Sequence, residues 1–334
     1  MPPSDGFDKL LHKKITKDKK VKGDCMKRST LVCLLLMCVP FMSGQAAAQI
    51  GCERACLSGH LDTYFNALTA NTPNAVPLAT NAKISDNNRL VSLREAFWAS
   101  AEAVPYRWDI ANPRLGDVAA QAIVRNSDGT LTMIMVRLKV AANAITEVEV
   151  IRANEGDADR LWGPERLLDY PLSGNLDNSI RVADRDSYYR LIAAAEGYWR
   201  AFQTNGTEEY HPADLLYDTD RFENGLQTTG TFPDGSFRSA PEGFDAGRFI
   251  GRNLWDRRYP VVDEERGIVL SIVRFGLKDG MESQSVATSN DRLVGEFFQV
   301  KNGMIQEVHA VLYNLPDTVP GVWEADYGPG QGGW

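Results

Sequence analysis

LTMIMVRLKVAANAITEVEV, residues 131–150, and DRLVGEFFQVKNGMIQEVHA, residues 291–310, overlay at a constant shift of 160. Leu138 falls on Phe298, Val140 on Val300, Ile145 on Ile305, Glu147 on Glu307 and Val148 on Val308. Both stretches are rich in β-branched residues and break at a turn, Ala142-Asn143 in one and Asn302-Gly303 in the other, so each predicts a long antiparallel hairpin. Two copies of one domain are implied.

Upstream of each hairpin the pattern changes from strand to helix. Leu57, Leu61, Tyr64, Phe65 and Leu68 form an apolar stripe over 53–70, and Tyr188, Leu191, Ala195, Tyr198, Trp199 and Phe202 form another over 187–202. Tyr64-Phe65 overlays Tyr198-Trp199, and Asp62 overlays Glu196. Polar segments at 92–102 and 213–224 then predict short helices, followed by strands at 118–125, 130–140 and 145–151 and at 267–275, 292–300 and 304–313. Helix first and hairpins last is an α+β order. Tyr64 to Ile145 spans 81 positions and Tyr198 to Ile305 spans 107, so the second copy carries 26 more residues. Most fall in the Gly/Pro/Ser/Phe-rich segment 227–252, too long for a plain connection and a candidate lid over a pocket. The boundaries are domain 1 at 49–155, a linker at 156–184, domain 2 at 185–318 and a flexible tail at 319–334.

Met26-Lys27-Arg28, the apolar run 31–39 and Ala46-Ala47-Ala48 have the anatomy of a signal peptide at 26–48, which predicts a secreted or periplasmic protein. Residues 1–25 place seven lysines ahead of it, which fits an upstream extension from a misassigned start or a genuine basic arm. The apolar run is too short to span a membrane. With a net charge of −8 overall, and a leader that removes mostly lysine, the remainder is strongly acidic, which excludes nucleic acid as a partner. Cys52 and Cys56 are the cysteines left after the leader. Their spacing in an oxidising compartment predicts a local disulfide, with a lipoprotein site at Cys52 or a metal site near His60 as rivals.

Three clusters carry candidate chemistry. His211, Tyr217 and Asp218 follow the second long helix, where a histidine, a carboxylate and a phenol suit proton transfer. His309 lies on the last strand as a second candidate acid or base, provided its face lines the pocket rather than the other domain. Trp255 and Arg258, with Tyr198, Trp199 and Phe298, form an aromatic and forked-donor set able to hold a small organic ligand, although structural ion pairs explain the arginine equally well. The hydrolase elbow, the phosphate-cradling loop, the dinucleotide fingerprint and paired metal histidines are all missing, so no metal or cofactor is expected.

A helix-led domain that ends in long curved strands resembles the nuclear-transport-factor-two-like cone shared by ketosteroid isomerases and SnoaL-like cyclases. The tandem arrangement, with Cys52-Glu53-Arg54, NLWDRRYPVVDEERG (253–267) and GEFFQVKNGMIQEVH (295–309), resembles an uncharacterised secreted family of fungi and bacteria. The resemblance implies two cone-like domains, each with N-terminal helices on a curved antiparallel sheet around a mostly apolar pocket. It assigns no reaction. Cofactor-free isomerase, dehydratase or lyase chemistry on a small apolar or aromatic molecule is the leading expectation, against a non-catalytic binding or assembly module. The two domains pair with each other, or the chain forms a homodimer, in either case.

Overall fold

The computed structural model describes residues 52–95, 97–169, 174–277, 291–315 and 321–323. The leader, the basic stretch before it and most of the tail lie outside the described residues. The described residues all fall in one compact unit.

The chain enters through the disulfide Cys52–Cys56, which closes over the first turn of α1 (Arg54–Thr69). Six strands follow: β1 (Leu78–Asp86), β2 (Arg89–Leu90), β3 (Ala101–Asn112), β4 (Asp117–Asn126), β5 (Leu131–Ala141) and β6 (Ala144–Ala153), in the spatial order β2-β1-β6-β5-β4-β3. Short helices α2 (Glu165–Asp169) and α3 (Gly174–Asp177) lead to α4 (Tyr188–Thr204), whose N-terminus is capped by the Ser187 hydroxyl accepting from the Arg190 amide. The second half continues with β7 (Leu215–Glu223), β8 (Leu226–Thr231), β9 (Phe237–Arg238), α5 (Ala240–Asp245), β10 (Arg252–Asp263), β11 (Ile268–Leu277), β12 (Arg292–Lys301) and β13 (Met304–Asn314). Its sheet runs β10-β11-β12-β13-β7-β8-β9, the first sheet's order with one short strand added at the edge.

Local details recur between the two halves. Asn87 donates to the Arg152 carbonyl (3.0 Å) and accepts from its amide (2.9 Å), while Asn224 does the same with Leu312 (3.0 and 2.9 Å). Both asparagines sit at φ +46°, where the side-chain amide extends the ladder past the end of the strand. Gly116 and Gly267 occupy equivalent turns at φ +72° and +68°, and a Cβ would fall 2.4 Å and 2.6 Å from the carbonyl oxygens of Val140 and Val300. Only glycine fits either place.

The α1 stripe packs Leu57, Leu61, Tyr64, Phe65 and Leu68 on one sheet face, and α4 packs Leu191, Tyr198, Trp199 and Phe202 on the other sheet. Each such side chain contributes roughly 1.5–3 kcal/mol when fully buried. An ion pair ties each helix to its sheet, Asp62 with Arg107 (2.7 Å) and Glu196 with Arg257 (2.8 Å).

Three expectations are corrected. Residues 213–224 are not helical: β7 buries Leu215, Thr219 and Phe222 and pairs with the edge of β13, with the Thr219 hydroxyl donating to the Ile305 carbonyl (3.0 Å). The sheets are mixed, because β1 pairs with β6, and β7 with β13, in parallel. Such a pairing needs a long crossover, and the remaining strands of each half supply it. Within the tail that was read as flexible, Trp323 is buried, its indole NH donating to the Ser85 hydroxyl (3.0 Å) and its ring lying against Lys83, Arg137 and Arg258. An amphipathic ring that covers three cations gains both area and cation–π attraction.

The faces turned away from the helices meet each other. Trp108 and Met135 from the first sheet join Phe222, Leu270 and Phe297 from the second in one continuous apolar cluster. Gly295 keeps the approach close, since a Cβ there would come within 3.0 Å of Met135. Along this contact Arg258 forks onto both oxygens of Glu149, and Arg137 reaches the same carboxylate (3.0 Å). Burial opposes the Glu149 charge, but the two guanidiniums outweigh it and hold the carboxyl below its ordinary range. Arg54 forks onto Asp263 (2.6 and 2.8 Å), which also accepts from the Ala111 amide (3.1 Å). No helix among the described residues is long and apolar enough to cross a membrane.

Replacing Arg258 by alanine leaves half of a buried fork unanswered and is expected to destabilise the fold by about 3 kcal/mol. Urea unfolding measures it, with the exposed Arg181→Ala as a control that shifts little. A midpoint equal to the control's would show that the fork contributes nothing.

Candidate functional site

The second half encloses a cavity of about 280 Å³ between α4, the inner face of its sheet and the segment inserted after β7. Helical spacing brings Tyr198, Trp199 and Phe202 to one wall. Strand alternation brings Arg292, Val294 and Glu296 of β12 to another, while Leu293 and Phe297 between and beside them point to the sheet–sheet contact. β7 adds Arg221 and Glu223, and the insertion adds Thr228, Ser239, Phe249 and Arg252. The expected lid is therefore real wall, built from β8, β9 and α5 rather than irregular loop.

Glu296 is the chemical centre of this wall. It is 4% exposed and accepts a hydrogen bond from the Tyr198 hydroxyl (3.1 Å), which in turn accepts from Arg221 Nη1 (3.2 Å). Arg221 also donates to Thr228 Oγ1 (3.1 Å) and to Glu223 (3.0 Å). Burial pushes the Glu296 carboxyl up to about 8, reinforced by the charge of Glu223 and opposed by Arg221 and by the Tyr198 hydrogen bond. Burial and Glu296 also raise Tyr198 well above a free phenol, against Arg221. Arg221 is held above its ordinary value despite its burial, by Glu223, Tyr198 and Glu296. Glu296 is thus a carboxylic acid at neutral pH beside a neutral phenol and a fixed cation, a set able to give and take a proton.

Of the residues singled out in the sequence, Tyr198 and Trp199 line the cavity. Phe298 lies in the core beside them, its ring 4.8 Å from Tyr198 and 5.8 Å from Trp199. Trp255 is half-buried on β10, paired with Arg274 across the ladder and outside the cavity wall. Arg258 is engaged with Glu149 on the opposite sheet face. His211, Tyr217 and Asp218 are exposed and do not reach the cavity, and Tyr217 stacks on Phe237 (5.2 Å) and donates to Glu242 (2.8 Å). His309 is buried between the sheets, not in the cavity: its Nε2 lies 2.7 Å from Glu307, and its ring stacks on Phe222 (4.9 Å) against Trp108 (5.6 Å). Alternation decided this, because Val308, Ala310 and Leu312 take the inner face. The sulfurs of Cys52 and Cys56 are bonded to each other beside His60, which leaves no thiolate for a metal.

Glu296, Arg221, Glu223, Arg252 and Arg292 were missed. The signal for Glu296 stood in the sequence as one carboxylate in phase with Val294 and Phe298 on an otherwise apolar strand face. The first half places Val136 where Glu296 stands, at the 160 shift, and Ile84 where Arg221 stands, since each pairs with the equivalent residue of the adjacent strand.

Residues 184–312, which contain the cavity lining except Leu161, match the model of a domain of unknown function (DUF8021). No curated protein matches the chain. Three similar solved structures are PrhC from Penicillium brasilianum, an NTF2-like protein of unknown function from Shewanella baltica and a protein with a ketosteroid isomerase-like fold from Catenulispora acidiphila in complex with trimethylamine. PrhC is 10% identical over 29% of this chain and 80% of its own, with a TM-score of 0.25. The Shewanella protein is 10% identical over 30% and 92% (0.22), and the Catenulispora protein 16% identical over 27% and 82% (0.22).

Glu296 ionises near 4.5 when unfolded and near 8 in the fold, so the fold holds an extra proton between those values. Its stabilising effect is complete below about pH 4.5 and is lost as pH rises to about 8, at up to roughly 1.4 kcal/mol per pH unit. Unfolding free energies of wild type and Glu296→Gln, compared across pH 4–9, should diverge with that slope, and parallel curves would refute the raised value.

Proposed function

We propose that this chain is a secreted or periplasmic protein of two tandem cone-like domains, the second of which binds a small organic molecule and transforms it by cofactor-free acid–base chemistry. The observation that carries the reading is the buried Glu296 acid, hydrogen-bonded to Tyr198 and facing a cavity walled by aromatic rings. An apolar cavity holding one convergent set of polar groups with displaced pKa values is the physical signature of a site, because such groups are costly to bury without a task.

In this reading Glu296 moves the proton. In its neutral form it donates to a carbonyl or leaving oxygen, and as a carboxylate it removes a proton from an adjacent carbon. Tyr198, polarised by Arg221, donates to the oxyanion that develops. Isomerisation, dehydration and lyase-type elimination all reduce to this pair of transfers. The first half, with Val136 and Ile84 at the matching positions, is structural: it covers the outer face of the second sheet and takes the place of a partner subunit. The disulfide and the leader-like sequence support export from the cytoplasm.

The test is a screen of the full chain against small aromatic and polyketide-like carbonyl compounds, with binding read by Trp199 fluorescence and conversion by mass spectrometry. For a compound that is turned over, Glu296→Gln is expected to lower kcat by 10²–10⁴ while binding persists, the usual size of general acid–base catalysis. Tyr198→Phe is expected to lower kcat by a smaller factor. Turnover undiminished in Glu296→Gln would sink the mechanism, and binding without conversion would make the protein a ligand carrier.

A further inference from the structure

Two consecutive residues of α4 reach two residues that stand opposite each other on neighbouring strands. Tyr198 donates to Glu296 on β12 (3.1 Å), and the Trp199 indole NH donates to the Ser271 hydroxyl on β11 (2.8 Å). Ser271 and Glu296 are direct partners in the antiparallel ladder, so their side chains leave the same face of the sheet about 5 Å apart. Ser271 is fully buried, and Trp199 lines the cavity. The first half shows that the fold does not require this bond. Phe65 stands at the place of Trp199, and by ladder pairing Ala120 and Val136 stand at the places of Ser271 and Glu296. Those three side chains can form neither hydrogen bond, yet α1 packs on its sheet with the same apolar stripe. The indole donor, its acceptor and the carboxyl thus occur together in the half that holds the cavity.

A single hydrogen bond leaves a helix free to pivot about it. Adjacent side chains diverge by about 100° around the helix axis, so a second bond from the next residue to the next strand fixes roll and slide together. Apolar packing alone is non-directional and tolerates small slides, whereas a hydrogen bond weakens steeply with angle and distance. Proton transfer does not tolerate such slides, because its rate falls sharply when the reacting groups move out of line. We propose that Ser271 is a positioning residue of this site: by holding the Trp199 indole it sets the roll and slide of α4, and so the placement of the Tyr198 hydroxyl against Glu296. This rests on the reading of Glu296 as the group that moves the proton. It goes beyond that reading by naming what keeps the acid and its phenol in register. Ser271 touches no reacting atom and acts through Trp199.

The test compares Ser271→Ala, which removes the acceptor, with Ser271→Thr, which keeps a hydroxyl, in the full chain. The bond itself is read by NMR at the Trp199 indole NH, its resonance assigned through Trp199→Phe. Exchange with deuterated water is expected to quicken by about tenfold or more in Ser271→Ala and to stay near wild type in Ser271→Thr. The positioning is read from the pH at which Glu296 titrates, obtained by comparing the unfolding free energy of each variant with that of the same variant carrying Glu296→Gln, across pH 4–10. The Tyr198 hydrogen bond favours the Glu296 carboxylate against burial, so loosening it leaves burial less opposed. Ser271→Ala is therefore expected to move the midpoint above its wild-type place, about 8, by roughly half a pH unit or more, and Ser271→Thr to hold it. A serine that merely fills the core would change stability equally with and without Glu296. A midpoint unmoved in Ser271→Ala overturns the inference and leaves the cavity reading standing. For a compound that the chain converts, kcat in Ser271→Ala is expected to fall about tenfold with KM nearly unchanged, as lost alignment rather than lost binding requires. The stability readings need no ligand, so a moved midpoint in a chain that binds none of the screened aromatic carbonyl compounds upholds the role of Ser271 and overturns the cavity as a ligand site.

Discussion

Each of the two sheets has apolar side chains on both faces, and neither can leave a face in water. That constraint organises the molecule. One face of each sheet takes its long helix, α1 or α4, and the other takes the opposite sheet, with Trp108, Phe297 and Gly295 at the contact. Because strand side chains alternate, every residue is assigned by parity either to the helix side or to the sheet contact. His309 and Glu307 fall to the contact, while Glu296 falls to the helix side, where the cavity is.

Two buried carboxyl groups therefore meet opposite fates. Glu149 faces the contact and receives two guanidiniums, Arg258 and Arg137, so the gain from two positive charges exceeds its desolvation and it stays ionised. Glu296 has one phenol as its direct partner, and the nearest cation, Arg221, is shared with Glu223, so desolvation wins and the proton stays. The first is a structural clamp. The second is a buried acid on the cavity wall.

The asymmetry between the halves follows from one insertion and a few exchanged side chains. With Val136 and Ile84 in place, the first half packs its inner face as plain core. In the second, the segment after β7 folds back as β8, β9 and α5, supplying Phe249 and Arg252 and walling off a volume that the helix alone would leave open. Of two sheets with matching strand order, the second thus borders a cavity with acid–base groups and is backed by the first.

The amino-acid order alone determined what depends on neighbours a few residues apart: the helical stripes, the hairpins at Ala142-Asn143 and Asn302-Gly303, the Cys52–Cys56 bridge and the 160-residue periodicity that the strand registers repeat. It did not reveal β1 and β7, because their polar, weakly alternating residues become strands only when the open edges of β6 and β13 need partners. Nor did it place the site. Histidines draw attention for their intrinsic pKa, yet His211 is exposed and His309 is locked between rings. Which side of each sheet meets a helix, and which meets a second sheet, is settled by long-range packing, and that choice turns one glutamate into a buried acid and another into half of an ion pair.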